Sequence, residues 1–169
     1  MPEPRGPPAF DAPFEGEDVE QRIYGVVLRT RTPTSAAAIA EEAECDPKTA
    51  RKYLAWFADL GVVTAHEGRP RTYERNEAYF EWRRVNELAS TRSIGELRRR
   101  VSELSERIDA YRDRYGAETP GEVDALERDD SDVDGVYEDL ADWATALGER
   151  RLSERARRQL SDSTARTHG

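Results

Sequence analysis

Lys48, Thr49, Arg51 and Lys52 are the residues whose types and spacing first suggest chemistry. On a helix, positions 48, 51 and 52 share one face with Ala55, while Ala50, Leu54, Phe57 and Leu60 share another. The first face is basic and the second is apolar. Long cationic side chains in such a row reach guanine edges or phosphates in a DNA major groove. Thr49, near the helix start, is placed to hydrogen-bond a phosphate. Arg69 and Arg71 follow in a turn-rich stretch, where they can enter a minor groove or grip its backbone. From Asp46 to Arg75 six basic residues face four acids, a local charge of +2 inside a chain of −9. That bias is the electrostatic footprint expected of a nucleic-acid binder. Its bland counterpart is an ordinary solvated helix face.

Other chemistries find little support. There is no phosphate-binding glycine loop, zinc-ligand cluster or nucleophile motif. Cys45 and the two histidines do not make a metal site by themselves. Cys45 reads as a packed thiol, and His66 as a solvent-facing side chain near a hairpin tip. Acid pairs such as Asp129 and Asp130 read as solvated surface. The chain therefore reads as a non-enzyme without a cofactor.

Helical signals flank the basic row. Val19, Ile23, Val26 and Val27 predict a first helix over 17–31, ended by Thr32-Pro33. Thr34 or Ser35 caps a second helix from Ala36 to about Glu44. Asp46 caps a third, with Pro47 at its first position and Gly61 at its end. Two short strands, Val62 to Ala65 and Thr72 to Arg75, flank the turn Glu67-Gly68-Arg69-Pro70. Helix, turn, helix and hairpin together describe a winged helix. A fourth helix, Glu77 to about Ser90, carries Tyr79, Phe80, Trp82, Val85 and Leu88.

The next helix has the cleanest periodicity. Ser93 and Glu96 make a capping-box pattern. Ile94, Leu97, Val101, Leu104, Ile108, Tyr111 and Tyr115 then recur at spacings of 3 and 4, a heptad seam. Pairing of two copies along this seam would set two recognition helices about one DNA turn, about 34–36 Å, apart. The alternative is packing on the chain's own C-terminal helix through Leu140 and Trp143, and both can hold if the C-terminal helices cover the flank of a coiled coil. The reading favours the homodimer.

Residues 117–142 hold eleven acids against one arginine. Val133, Val136, Tyr137, Leu140, Trp143, Ala144 and Leu147 predict an amphipathic helix that Gly148 ends or kinks. A weaker, arginine-rich continuation follows. The domain reading is a disordered leader over 1–16, a DNA-binding domain over 17–91, and a dimerisation helix over 92–116. An acidic helical region covers 117–162 and a frayed tail 163–169.

The 169 residues include 26 that are basic, of which only Lys48 and Lys52 are lysine, leaving 24 arginines. Charged residues make up 36%, well above the usual quarter. An acidic, lysine-poor chain fits a cell with high internal salt, although a GC-rich genome also favours arginine codons. At about 1 M salt the Debye length is about 3 Å, so long-range steering fades and close contacts must supply more of the binding. No run of apolar residues is long enough to span a membrane. No signal pattern opens the chain, and one cysteine allows no intrachain disulfide, which together predict a cytoplasmic protein.

The runs Thr34-Ser35-Ala36-Ala37-Ala38-Ile39-Ala40-Glu41-Glu42-Ala43, Asp46-Pro47-Lys48-Thr49-Ala50-Arg51-Lys52-Tyr53-Leu54 and Leu60-Gly61-Val62-Val63 resemble the winged-helix domain of prokaryotic transcriptional regulators. The likeness is to haloarchaeal proteins of the ArsR and TrmB-like kind, over about residues 17–90. A weaker likeness links Val136 to Trp143 with the C-terminal helix of haloarchaeal members. The resemblance implies a third helix that reads DNA and a wing that assists. Cys45 alone does not match the ligand pairs of ArsR-type metal sensors. The chain is also too short for the effector domain of TrmB-type sugar sensors. The expectation is a mainly α protein with a small β-hairpin, binding double-stranded DNA as a sequence-specific transcriptional regulator. The rival is a winged-helix protein-interaction module. A third option is an effector sensor with a pocket near Tyr79 and Trp82, its ligand unknown.

Overall fold

Apolar spacing, caps and turn residues divide the described residues into six α-helices and three short strands. The computed structural model describes residues 13–127 and 133–167. In order these are α1 (Pro13–Arg29), β1 (Thr34–Ser35), α2 (Ala36–Glu42), α3 (Pro47–Asp59), β2 (Val63–His66), β3 (Thr72–Arg75), α4 (Glu77–Thr91), α5 (Ile94–Tyr115) and α6 (Val133–Thr167). A single 3-10 turn, Pro120–Glu122, precedes α6. The protein is mainly helical, with one small antiparallel sheet in the order β1-β3-β2. Among the described residues no helix is long and apolar enough to cross a membrane. The chain divides into two compact units, Met1–Phe80 and Glu81–Gly169.

In the first unit the apolar faces of α1, α2 and α3 meet. Ile23, Val26 and Val27 pack with Ile39, Ala40 and Ala43, and with Ala50, Tyr53, Leu54 and Phe57. Each large side chain buried here contributes about 1.5–3 kcal/mol, far more than helix propensity distinguishes between residues. The faces therefore decide where the helices sit. Ser35, not Thr34, caps α2, its hydroxyl accepting from Ala38 N–H at 3.2 Å. The tight turn to α3 places Glu44 at φ 53°. Gly61, at φ 79°, follows α3 in a left-handed conformation that a side chain would strain. Asn76 donates to its carbonyl at 2.8 Å. The hairpin is tied back to the end of α1. Arg75 N–H donates to Thr30 O at 2.8 Å, and its guanidinium donates to Leu28 O at 2.9 Å.

In the second unit α5 and α6 run antiparallel. Arg100 pairs with Glu149, Arg107 with Asp142 and Tyr115 with Asp139. Leu104, Ile108 and Tyr115 of α5 are buried with Val136, Trp143 and Ala146 of α6. A second cluster joins Val85 of α4 and Leu97 of α5 to Ala156 of α6. Ser93 and Glu96 form the capping box, and Gly116, at φ 61°, ends α5.

Several expectations change. The dimerisation seam of Ile94, Leu97, Val101, Leu104, Ile108 and Tyr111 is largely covered from within the chain. Leu97, Leu104 and Ile108 are at most 1% exposed, and Tyr111 lies against Trp143. The heptad spacing creates a stripe that demands an apolar partner, and α6 supplies it. Gly148 does not end the last helix, because packing on both sides of it carries α6 through to Thr167. The frayed tail over 163–169 is thus helical as far as Thr167. α1 begins at Pro13, four residues inside the expected leader, whose residues 1–12 lie outside the described residues. The loop at Asp129 and Asp130 also lies outside them. The strand β1, which local pattern does not announce, pairs Thr34 with Tyr73 and Ser35 with Thr72.

Candidate nucleic-acid interface

α3 owes its position to both of its ends and to its apolar back. The Asp46 carboxylate accepts from Lys48 N–H at 2.6 Å, and Pro47 fills the first position, where no N–H is needed. Ala50, Tyr53, Leu54 and Phe57 are buried, with Phe57 against the rings of Tyr24, Tyr53 and Trp56. Burying that stripe fixes the rotation of the helix. Lys48, Arg51 and Lys52 are left exposed on the other side, with Thr49 half-buried beside them.

These three cations make no ion pair among the described residues. Their neighbours behave differently. Arg29 is bound to Glu42 at 2.8 Å. Arg22 donates through Nε to Ala43 O at 2.9 Å, satisfying the end of α2. Arg75 is spent on the fold: besides Leu28 O it meets Glu77 at 3.1 Å and lies 4.1 Å from the centre of the Phe80 ring. Arginines near the domain's elements are mostly engaged in holding it, whereas the α3 row is not.

On the hairpin the two expected contacts separate. Arg69 is exposed in the connection between β2 and β3 and has no ion pair among the described residues. Arg71 meets Glu67 at 3.5 Å and lies over the Tyr73 ring at 5.9 Å, so its charge is partly committed. His66 is not simply solvent-facing: its Nε2 is 2.6 Å from Glu74 Oε1 on the neighbouring strand. Cys45 is half-buried, and burial pushes its thiol upward in pKa, with Arg22 opposing and Asp46 adding to the shift. A protonated thiol is a poor nucleophile and a poor metal ligand.

Of the two aromatics weighed as effector contacts, Tyr79 packs on the first unit's core and Trp82 is exposed. The reading of the residues missed the arginine-rich end of the second unit, where Arg84, Arg92, Arg99 and Arg100 line a cleft. Their spacing in the sequence looks like solvated helix surface, and only the fold brings them together.

No curated protein and no solved structure matches this chain. One family, described as a family of unknown function (DUF7342), matches residues 18–161, which take in both units. The chain belongs to that family.

Proposed function

We propose that this protein is a sequence-specific DNA-binding transcriptional regulator whose first unit is a winged helix-turn-helix. In this reading α2 and α3 are the two helices of the motif, and α3 lies in the major groove. The hairpin of β2 and β3 is the wing, with Arg69 at the adjacent minor groove or backbone. The observation that carries the reading is the row Lys48, Arg51 and Lys52. It is exposed, free of ion pairs among the described residues, and held on one face by a buried apolar back. Cations held in register but left without carboxylate partners are available for phosphates and base edges, at about 1–3 kcal/mol of discrimination per bidentate base contact.

Leu97, Leu104, Ile108 and Tyr111 are engaged inside the chain, so a second DNA-binding copy would join through another surface or over the half-buried Ile94 and Val101. The rival reading, a protein-interaction module without base recognition, is separated by selection. The full chain is presented with a pool of randomised duplex DNA in potassium chloride. Enrichment of a common sequence supports the regulator. Recovery of an unenriched pool, or of no DNA, defeats it.

A further inference from the structure

A cleft of about 400 Å³ lies within the second unit, between α4, the start of α5 and the middle of α6. That volume falls within the range of small-molecule sites. Its apolar lining comes from Leu88, Leu97 and Leu152, and its cationic lining from Arg84, Arg92, Arg99 and Arg100. Ser153 also faces it, and is the only buried polar residue among those described. Other α6 hydroxyls, those of Thr145, Ser161, Ser163, Thr164 and Thr167, donate to a carbonyl one turn back. The Ser153 hydroxyl makes no such bond among the described residues. A hydroxyl at the wall of a cleft with no protein partner is available to a molecule bound there.

The cleft is lined by four arginines and three carboxylates. All three carboxylates are committed. Glu96 accepts from Ser93 N–H at 2.7 Å in the capping box. Glu149 and Glu103 both belong to Arg100. Arg84 is taken by Glu87 at 2.9 Å. Arg92 and Arg99 make no ion pair within 4 Å among the described residues, although both act through space on the Glu96 carboxylate. The excess of arginine extends over this end of the unit. Residues 81–103 and 149–167 hold twelve arginines against seven acids, a balance of +5. Residues 104–148 hold four arginines against fourteen acids, a balance of −10.

We infer that this cleft is a binding site for a small amphipathic anion, a carboxylate on an apolar body. Arg92 and Arg99 hold the carboxylate, Leu88, Leu97 and Leu152 cover the body, and the Ser153 hydroxyl supplies a hydrogen bond from the floor. A closed-in cleft of this size with an apolar lining suits such a molecule better than a nucleic-acid backbone, which needs an extended basic groove or surface. The helix dipole of α5 is not the attraction, because the capping box already occupies that end. The assignment rests on the second unit alone and stands whether or not the first unit binds DNA.

Calorimetric titration of the full chain tests it with octanoate and phenylacetate, using octanol and inorganic phosphate as the apolar and anionic halves alone. One or both carboxylates should bind saturably, with a Kd below about 1 mM, and both half-probes at least about tenfold more weakly. Arg92→Gln with Arg99→Gln should weaken the carboxylate at least about tenfold. Both side chains are exposed and make no ion pair within 4 Å among the described residues, so circular dichroism should show the variant folded. Ser153→Ala, which keeps the charges, should weaken it by a smaller factor. The assignment is overturned if neither carboxylate saturates, if phosphate or octanol binds as well, or if the folded double variant binds unchanged.

Discussion

Tyr111 and Asp142 meet across the α5–α6 pair, the phenol hydroxyl donating to the carboxylate at 2.6 Å. Arg107 holds the other carboxylate oxygen. The Tyr111 hydrogen bond, followed by that from Arg107, keeps the Asp142 carboxyl below its ordinary range, and the same contact pushes the Tyr111 phenol up. A carboxylate with a lowered folded pKa stabilises the fold above its unfolded value, about 3.9, and loses that contribution as pH falls through the folded one. Tyr111→Phe should therefore cost about 1 kcal/mol at pH 7. Urea unfolding at descending pH should show the gap between wild type and variant closing once Asp142 is protonated. A gap that stays constant down to the acid limit would mean that the bond does not favour the ionised carboxylate.

Trp143 is fully buried and stacked with Tyr111 and Tyr115, at centroid distances of 5.9 and 6.3 Å. Its indole N–H is buried without an acceptor. Trp143→Phe keeps an aromatic ring and removes the orphaned donor, so it should cost less than about 1.5 kcal/mol. Trp143→Ala should cost about 3–5 kcal/mol. Denaturant midpoints for the two variants check the ordering, and equal losses would contradict this account of the packing.

Leu104 is 1% exposed in the single chain. Leu104→Ala should lower stability by about 2–5 kcal/mol. Because its partners are on α6, the melting temperature of wild type and variant should not depend on protein concentration. A concentration dependence present in wild type and lost in Leu104→Ala would place the seam between two chains instead.

Gly148 lies inside α6, and a methyl group there would meet nothing within 4 Å. Gly148→Ala should stabilise the protein by about 0.5–1 kcal/mol by removing the entropy cost of an interior glycine. Thermal unfolding measures it; a loss of stability would show that the helix depends on the freedom of that residue.

The first unit was largely readable because its signals are local. Asp46-Pro47 announces the start of α3, Gly61 its end, and the turn around Gly68 the hairpin. The face carrying Lys48, Arg51 and Lys52 follows from the spacing of Ala50, Leu54 and Phe57; Leu60, which the same spacing puts on the apolar face, is 53% exposed just past the end of α3, and Tyr53 is buried instead. What escaped depends on distant partners. The two-residue strand Thr34–Ser35 exists only because Thr72 and Tyr73 come alongside it. The heptad stripe specifies that Leu104 and Ile108 need apolar company but not which helix provides it. Gly148 looked like a stop, and the packing of Trp143 before it and Ala156 after it outweighs the local cost. Arg92 lies in the α4–α5 connection, Arg99 on α5 and Ser153 on α6, and their shared cleft appears only once α4, α5 and α6 are assembled.

The central claim concerns the α3 row. Its most direct test is anisotropy of the duplex recovered by selection, titrated with the full chain at several potassium chloride concentrations. Wild type is compared with the triple variant Lys48→Ala, Arg51→Ala, Lys52→Ala. These side chains are exposed, so the variant should keep the wild-type melting temperature. Affinity for the selected duplex should fall about hundredfold or more, toward that for random DNA. The slope of log affinity against log salt should shrink by about one for each lost phosphate contact. A folded triple variant with wild-type affinity and salt slope would contradict the account.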